Sequence, residues 1–230
     1  MDKYIIEGSY PLKGKITASG NKNAALPCLA ATFLTDDEVI LDNIPDIEDV
    51  HVMINILKSL GSSVEAITPN KYRIKTGDIK KSEIPADAAK EIRASVLFAG
   101  PLLAKTGKVN FPSPGGDGIG HRRLDTHFLA FTELGARVSI DGVYKVTANK
   151  LVGVDLFLDE ASVTATENAI MVAVLAEGET IIQNAASEPH IQDLCNMLNA
   201  MGAKITGIGS NILTIQGVSS LHGCEYEIGP

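Results

Sequence analysis

"LCNMLNAMGAKITGIGSNILTIQG", residues 194–217, begins as a helix with one apolar face, stops at Gly202 and continues as two alternating runs about Ser210-Asn211. A glycine just past an apolar-periodic run signals a helix C-cap, and alternation on either side of turn residues signals a hairpin. The same order occurs in "MINILKSLGSSVEAITPNKYRIKT" (residues 53–76), with Gly61 and Asn70, and in "HFLAFTELGARVSIDGVYKVTA" (residues 127–148), with Gly135 and Asp141-Gly142. The capping glycines recur at intervals of about 70 residues, too long for a common solenoid and suited to a repeated supersecondary unit.

Working outward, each unit is preceded by a more apolar helical run: "KNAALPCLAATFL" (22–34), "EIRASVLFAGPLLA" (91–104) and "ENAIMVAVLAEG" (167–178). Helices apolar on most faces belong inside a core. A short strand follows each, in "EVILDNIP", "GKVNFPSP" and "ETIIQNAASEP", and leads through a proline-containing loop to the amphipathic helix. The spacing predicts a β-α-β-α-β-β unit used three times. The fold class expected is α/β (α+β), an inside-out α/β barrel with helices inside, sheets outside and three equivalent loops near one end.

With 230 residues, 45% of them hydrophobic, the chain can bury a sizeable core. Its longest apolar stretch, residues 94–104, is interrupted by Pro101 and falls well short of the roughly 20 residues that span a bilayer. The start, "MDKYIIEGSY", has no continuous apolar segment followed by a cleavage site, so no secretory signal is read there. Cys28, Cys195 and Cys224 are odd in number and show no C-x-x-C pair, which suits reduced thiols and a cytoplasmic location. A formal charge of −8 argues against nucleic acid or a membrane surface as partner. A small anion remains open to local cations, and "HRR" at 121–123 is the densest group near glycines.

That group ends "FPSPGGDGIGHRR", residues 111–123, where Gly115, Gly116, Gly118 and Gly120 free the backbone while Pro112 and Pro114 stiffen its approach. Alone, the segment fits an ordinary surface loop as well as a functional one. On a repeated scaffold with equivalent loops, it is the one richest in chemistry.

Four motifs together, "GNKNAALPCLAA" (20–31), "IRAS" (92–95), "PGGDGIGHRRLDTH" (114–127) and "LAEGETIIQNAASEPHI" (175–191), resemble the UDP-N-acetylglucosamine 1-carboxyvinyltransferase family of enolpyruvyl transferases, and the similarity runs along essentially the whole chain. The resemblance implies transfer of the enolpyruvyl group of phosphoenolpyruvate to the 3-hydroxyl of UDP-N-acetylglucosamine, with release of phosphate, opening peptidoglycan synthesis. It implies no metal and no organic cofactor. Members of that family carry two three-repeat domains. By resemblance, residues 22–230 are the catalytic domain, and residues 1–21 a segment that pairs with a second domain supplying the base aspartate and carboxylate-binding arginines. The chain by itself is then expected to turn over little or nothing.

The reaction needs a proton for the methylene carbon, a base for the sugar hydroxyl and cations for the substrate charges. The resemblance assigns Lys22, Asn23, Arg93 and Arg122 to phosphoenolpyruvate. Lys22 and Asn23 stand at a predicted helix start, where free N–H groups favour an anion, though a polar cap is the plainer reading of those two residues alone. Arg93, read as lying within an apolar helix, needs an anionic partner or a path to the surface. Asp117 stands where most family members have the cysteine that donates the proton and is alkylated by the epoxide antibiotic fosfomycin. A carboxyl can still donate, although its reference pKa of about 3.9 against about 8.5 for a thiol leaves it ionised near neutrality unless an arriving anion lifts it. Resistance to fosfomycin is therefore expected.

For the sugar nucleotide, the resemblance points to Arg93, Arg122, Arg123, Leu124, Asp125, Thr126, His127, Ser162 and Val163. Two departures stand out: Arg123 replaces a proline common in the family, and Thr164 a glycine. Asp125 and His127 also fit a helix cap and a packed imidazole, and Glu188 with His190 fit capping or ion pairing as well as ligand contact. A non-catalytic sugar-nucleotide-binding module of the same fold is the alternative reading, and an enzyme acting on shikimate 3-phosphate a weaker one.

Overall fold

The computed structural model describes residues 3–77, 79, 81–115 and 123–230. The first repeat contains α1 (Lys22–Ala31), β1 (Glu38–Asp42), α2 (Glu48–Leu60), β2 (Ser62–Thr68) and β3 (Lys71–Thr76). The second contains α3 (Ala86–Glu91), a 3-10 segment Arg93–Phe98, α4 (Ala99–Thr106), β4 (Lys108–Phe111), α5 (Asp125–Glu133), β5 (Arg137–Asp141) and β6 (Val143–Thr147). The third contains β7 (Asp155–Phe157), α6 (Val163–Ala173), β8 (Glu179–Gln183), α7 (Pro189–Ala200), β9 (Lys204–Thr206) and β10 (Ile212–Gln216), and β11 (Glu225–Glu227) ends the series.

The three sheets have the orders β11-β1-β3-β2, β4-β6-β5 and β7-β8-β10-β9. In the third, β7 runs parallel to β8 and the β9–β10 hairpin is antiparallel to it. The first has the same plan, with one exchange: its leading strand is β11, parallel to β1 through the register Ile40–Glu225, Leu41–Tyr226 and Asp42–Glu227. The far end of the chain thus completes the first repeat. In the second repeat that place is held by a single parallel bridge, Glu83 to Asn110. Among the described residues the sheets share no ladder, so these strands form separate outer faces around the helices and not a closed ring.

The helices are inside because apolar residues occupy most of their faces, the buried Thr166, Glu167 and Asn168 of α6 being the exceptions. Every residue of α1 from Ala24 to Ala31 is buried, as is every residue of α6 from Ala165 to Ala173. The outer helices are amphipathic and end where the capping glycines predict: Gly61, Gly135 and Gly202 have φ of 116°, 101° and 97°, a left-handed region open to glycine with little penalty.

One sequence expectation is corrected. Residues 91–104 are not a single helix: α3 ends at Ile92, which is extended with φ −139° and ψ 134°, and a 3-10 turn precedes α4. Pro101 has no N–H for the Leu97 carbonyl, and the Gly100 N–H donates to Asn168 Oδ1 at 2.7 Å, so the helix is reset by a tertiary bond. Arg93 accordingly opens the 3-10 turn and is not embedded in an apolar helix. Gly115, read as freeing the loop, serves a close approach instead. Its N–H donates to Ala89 O at 2.8 Å, and an added Cβ would lie 1.7 Å from Lys90 O.

Candidate active site

A cavity of about 380 Å³ is lined by Arg93, Arg123, Glu160, Ala161, Ser162, Val163 and Thr164. Its cations come from different elements. Arg93 leaves the 3-10 turn and donates from Nη2 to the Arg123 carbonyl at 2.9 Å, tying that turn to the segment before α5. Arg123 is oriented by acids, its Nε donating to Asp125 Oδ2 at 2.7 Å with Asp159 Oδ2 3.8 Å from Nη2. The third contribution is the start of α6. Ser162 is its N-cap, with extended φ −80° and ψ 123° and no side-chain capping bond, so the first N–H groups of α6 are left for another acceptor. Two arginines and a helix N-terminus lining one cavity are groups chemically suited to an anion such as a phosphate. Glu160 is the one acid among its lining residues.

A smaller hollow of about 70 Å³ adjoins it, sharing Val163 and Thr164 and bounded otherwise by Asn23, Leu26, Pro27, Ala94, Leu97 and Glu167. The Asn21 side chain caps α1 by accepting from the Asn23 N–H at 2.8 Å. Lys22 reaches across to Asp49 in the first turn of α2, Nζ to Oδ2 at 2.7 Å. Both partners are substantially exposed, so the pair contributes little and does not prevent an incoming anion from recruiting the ammonium. A larger hollow of about 510 Å³ elsewhere is lined by Asp36 and Asp37, with Lys105 bound to Asp36 at 3.0 Å, and has no comparable cation cluster.

Beneath the arginine cavity lies a buried polar line. Thr126 is 4% exposed and donates to Asp159 Oδ1 at 2.7 Å, and Leu124 is buried beside it. His127 is 1% exposed. Its Nδ1 accepts from Asn168 Nδ2 at 3.0 Å, and its Nε2 lies 3.1 Å from the Thr164 hydroxyl. The Asn168 orientation is fixed by two further bonds, Gly100 N–H to Oδ1 and Nδ2 to Val96 O at 3.0 Å. His127 Nδ1 is therefore the acceptor, the proton of the neutral ring sits on Nε2, and Thr164 receives it. Burial, with the positive Arg93 nearby, holds His127 down at about 3.

Of the residues predicted from sequence, Arg93, Arg123, Ser162 and Val163 come together around one cavity, and Asn23 lies in the adjoining hollow. Asp125 faces Arg123, while Leu124, Thr126 and His127 are turned into the protein. Asp117 and Arg122 lie outside the described residues. His190 is at the start of α7, its Nε2 buried, and burial lowers its pKa. Sequence reasoning missed Asp49, Asp159, Glu160, Glu167 and Asn168. For the last two a signal existed: a Glu-Asn pair opening an otherwise apolar run is costly to bury without a task.

The model of the EPSP synthase (3-phosphoshikimate 1-carboxyvinyltransferase) family matches residues 6–230. A UDP-N-acetylglucosamine 1-carboxyvinyltransferase of Treponema denticola is 63% identical over 230 residues, covering 100% of this chain and 54% of that protein. The enzyme of the same name from Treponema pallidum is 59% identical over 229 residues, again with 54% of its length covered. The chain thus spans about half the length of the curated relatives it matches. Among solved structures, the enolpyruvyl transferase NikO from Streptomyces tendae shares the fold with a TM-score of 0.83 at 21% identity, over 97% of this chain and 53% of that one. An EPSP synthase from Acinetobacter baumannii follows at 0.74 and 19%, over 94% and 49%. With its family model matched from residue 6 to residue 230, the chain belongs to the EPSP synthase family.

Proposed function

We propose that this chain is the catalytic-domain part of a UDP-N-acetylglucosamine 1-carboxyvinyltransferase. The observation that carries this reading is the 63% identity to the Treponema denticola enzyme along the entire chain, against 19% to an EPSP synthase that has the same fold. The substrates are phosphoenolpyruvate and UDP-N-acetylglucosamine, and the setting is the cytoplasm, where peptidoglycan precursors are made.

In this reading the diphosphate of the sugar nucleotide meets Arg93, Arg123 and the first N–H groups of α6, and phosphoenolpyruvate meets Lys22, Asn23, Arg93 and Arg122. Asp117 gives its proton to the methylene carbon of phosphoenolpyruvate while the sugar 3-hydroxyl adds to the neighbouring carbon and loses its own proton to a base. In the second step a proton leaves the new methyl group, the double bond re-forms and inorganic phosphate departs. The cations around the cavity bind and orient the phosphate and carboxylate groups, and they favour the departing phosphate as negative charge builds on it in the second step. A second domain supplies the base aspartate and the arginines for the carboxylate, and residues 1–21 pair with it.

The test is calorimetric titration of the chain with UDP-N-acetylglucosamine, followed by phosphate-release assays with and without the complementary half. Binding, with turnover restored by the added half, is expected. Binding without rescue turns the assignment into that of a sugar-nucleotide-binding module, and turnover by the 230-residue chain alone overturns the division of labour.

A further inference from the structure

Residues 20–21 and 228–229 come from far apart in the sequence and run side by side, the Asn21 N–H donating to Gly229 O at 2.7 Å. One side chain holds both. Asn43 accepts the Gly20 N–H on its Oδ1 at 3.1 Å and donates from Nδ2 to Ile228 O at 2.8 Å. Its φ is 57°, in the left-handed region that asparagine enters more readily than most residues. No side chain fits at residue 20, where a Cβ would lie 1.9 Å from Asn43 O. The third repeat has the same device in a simpler setting. Asn184 follows β8 as Asn43 follows β1, has the same φ of 57°, and donates from Nδ2 at 2.8 Å to the carbonyl of Leu158, the residue after the parallel strand β7. There the chain runs on unbroken from Leu158 to Ser162, the N-cap of α6. In the first repeat the matching passage is assembled from two pieces, Ile228-Gly229 after β11 and Gly20-Asn21 before α1, and the Asn43 carboxamide bonds to both.

We propose that Asn43 is a positioning residue: by clasping Gly20 and Ile228 it fixes the start of α1, and with it Lys22 and Asn23, against the end of β1. The link to those residues is short. Asn21, next to the clasped Gly20, caps α1 by accepting the Asn23 N–H at 2.8 Å, and its own N–H is committed to Gly229. Gly229 is held from another side as well, its N–H donating to Asp193 Oδ2 of α7 at 2.9 Å while Asp193 Oδ1 accepts from the Tyr226 hydroxyl. The passage is thus pinned to β1 and to α7 at once, and removing the Asn43 carboxamide takes a partner from the Gly20 N–H and from Ile228 O together. The effect on phosphoenolpyruvate rests on the proposed role of Lys22 and Asn23; the clasp itself does not.

The experiment compares Asn43→Gly, which accepts the left-handed turn and removes both side-chain bonds, with Asn43→Asp, which keeps an acceptor for Gly20 and loses the donor to Ile228 O. The first readout needs no ligand: residue-resolved amide hydrogen exchange in the free chain. Gly20 and Asn21 are expected to exchange about tenfold faster in Asn43→Gly, with the amides of the β8–β10 ladder unchanged. In Asn43→Asp the gain is expected at Asn21 and not at Gly20. Unaltered exchange at both residues in a folded Asn43→Gly protein overturns the proposal. So does an equal acceleration throughout the chain, which would mark a general loss of stability. If Asn43→Gly does not fold, Asn43→Asp takes its place, and unaltered exchange at Asn21 is then the overturning result. The second readout is ligand affinity in the full-length enzyme. With UDP-N-acetylglucosamine saturating, phosphoenolpyruvate is expected to bind about fivefold more weakly in Asn43→Gly, while affinity for the sugar nucleotide stays near wild type because the arginine cavity takes no residue from the clasp. Unchanged phosphoenolpyruvate affinity overturns the positioning role. Failure of the wild-type enzyme to bind either substrate counts against the proposed function and leaves the exchange result standing.

Discussion

Asn168 donates to His127 Nδ1 across 3.0 Å and so joins the innermost helix of the third repeat to the outer helix of the second. The same carboxamide accepts the Gly100 N–H and donates to Val96 O, closing the gap that Pro101 opens in the central segment. Only a glycine lets the chains come this near, since a Cβ at residue 100 would lie 2.6 Å from Asn168 Oδ1 and 2.9 Å from its backbone oxygen. Gly100→Ala is expected to destabilise the chain by about 2–3 kcal/mol, and Asn168→Leu by about 3 kcal/mol, because each leaves buried partners unpaired or strained. Urea denaturation monitored by circular dichroism measures both. A loss under about 0.5 kcal/mol in either variant contradicts the account.

His127 and Glu167 make opposite contributions to the pH dependence of stability. His127 has its folded pKa lowered from 6.5 to about 3, so the unfolded chain binds the extra proton in that interval. The stability it contributes is present above 6.5 and is lost as pH falls through the window, at about 1.4 kcal/mol per unit. Glu167 has its folded pKa raised from 4.5, so the folded chain holds the extra proton, and stability is lost as pH rises above that value. His127→Gln is expected to flatten the acid arm of a stability curve, and Glu167→Gln to lift its neutral arm. Parallel curves for wild type and His127→Gln between pH 4 and 6 would remove the basis for a buried neutral imidazole.

The outer architecture was legible in the sequence because glycine caps and alternating hairpins are local features. Gly61, Gly135 and Gly202 mark their helix ends with no help from the rest of the chain. What was not legible depends on distant partners. "EYE" at residues 225–227 is short and charged, and becomes a strand only because β1 presents a free parallel edge. The break before α4 follows from the Gly100–Asn168 bond as much as from Pro101. At the site, the cationic residues were readable as chemistry out of place, whereas Asp159 and Asp49 acquire meaning only through the arginine, threonine and lysine they hold.

The arginine cavity contains its own antagonist. Glu160 lines it beside Arg93 and Arg123, and its carboxylate adds to the field that raises the Arg123 pKa after the stronger effects of the Asp125 hydrogen bond and charge. A diphosphate entering the cavity meets that negative charge. Glu160→Gln is expected to tighten UDP-N-acetylglucosamine binding by about threefold at low salt, with the gain shrinking toward 0.5 M salt as the Debye length falls to roughly 4 Å. Arg93→Lys, which gives up the planar fork, is expected to weaken binding by about tenfold. Calorimetry at two salt concentrations reads both effects. Weaker binding by Glu160→Gln at low salt would place the diphosphate somewhere other than this cavity.

The thiol inventory bears on inhibition. The chain has three cysteines, Cys28 and Cys195 buried and Cys224 partly so. Burial pushes the Cys195 thiol up to about 12 and raises Cys28 well beyond its ordinary value, so neither offers an appreciable thiolate near neutral pH. None of the three is among the residues lining the arginine cavity or the Asn23 hollow. On the proposed assignment of Asp117 to the phosphoenolpyruvate site, an epoxide arriving in place of that substrate would find a carboxylate and not a thiol at residue 117. The full-length enzyme is expected to keep its activity and its mass after incubation with fosfomycin in the presence of UDP-N-acetylglucosamine. Asp117→Cys is expected to gain one adduct, mapped to residue 117, and to lose activity in step with it. Time-dependent inactivation of the unaltered enzyme with the adduct on Asp117 would show that a carboxylate suffices for alkylation, whereas an unlabelled Asp117→Cys protein would put residue 117 outside the reach of the bound epoxide.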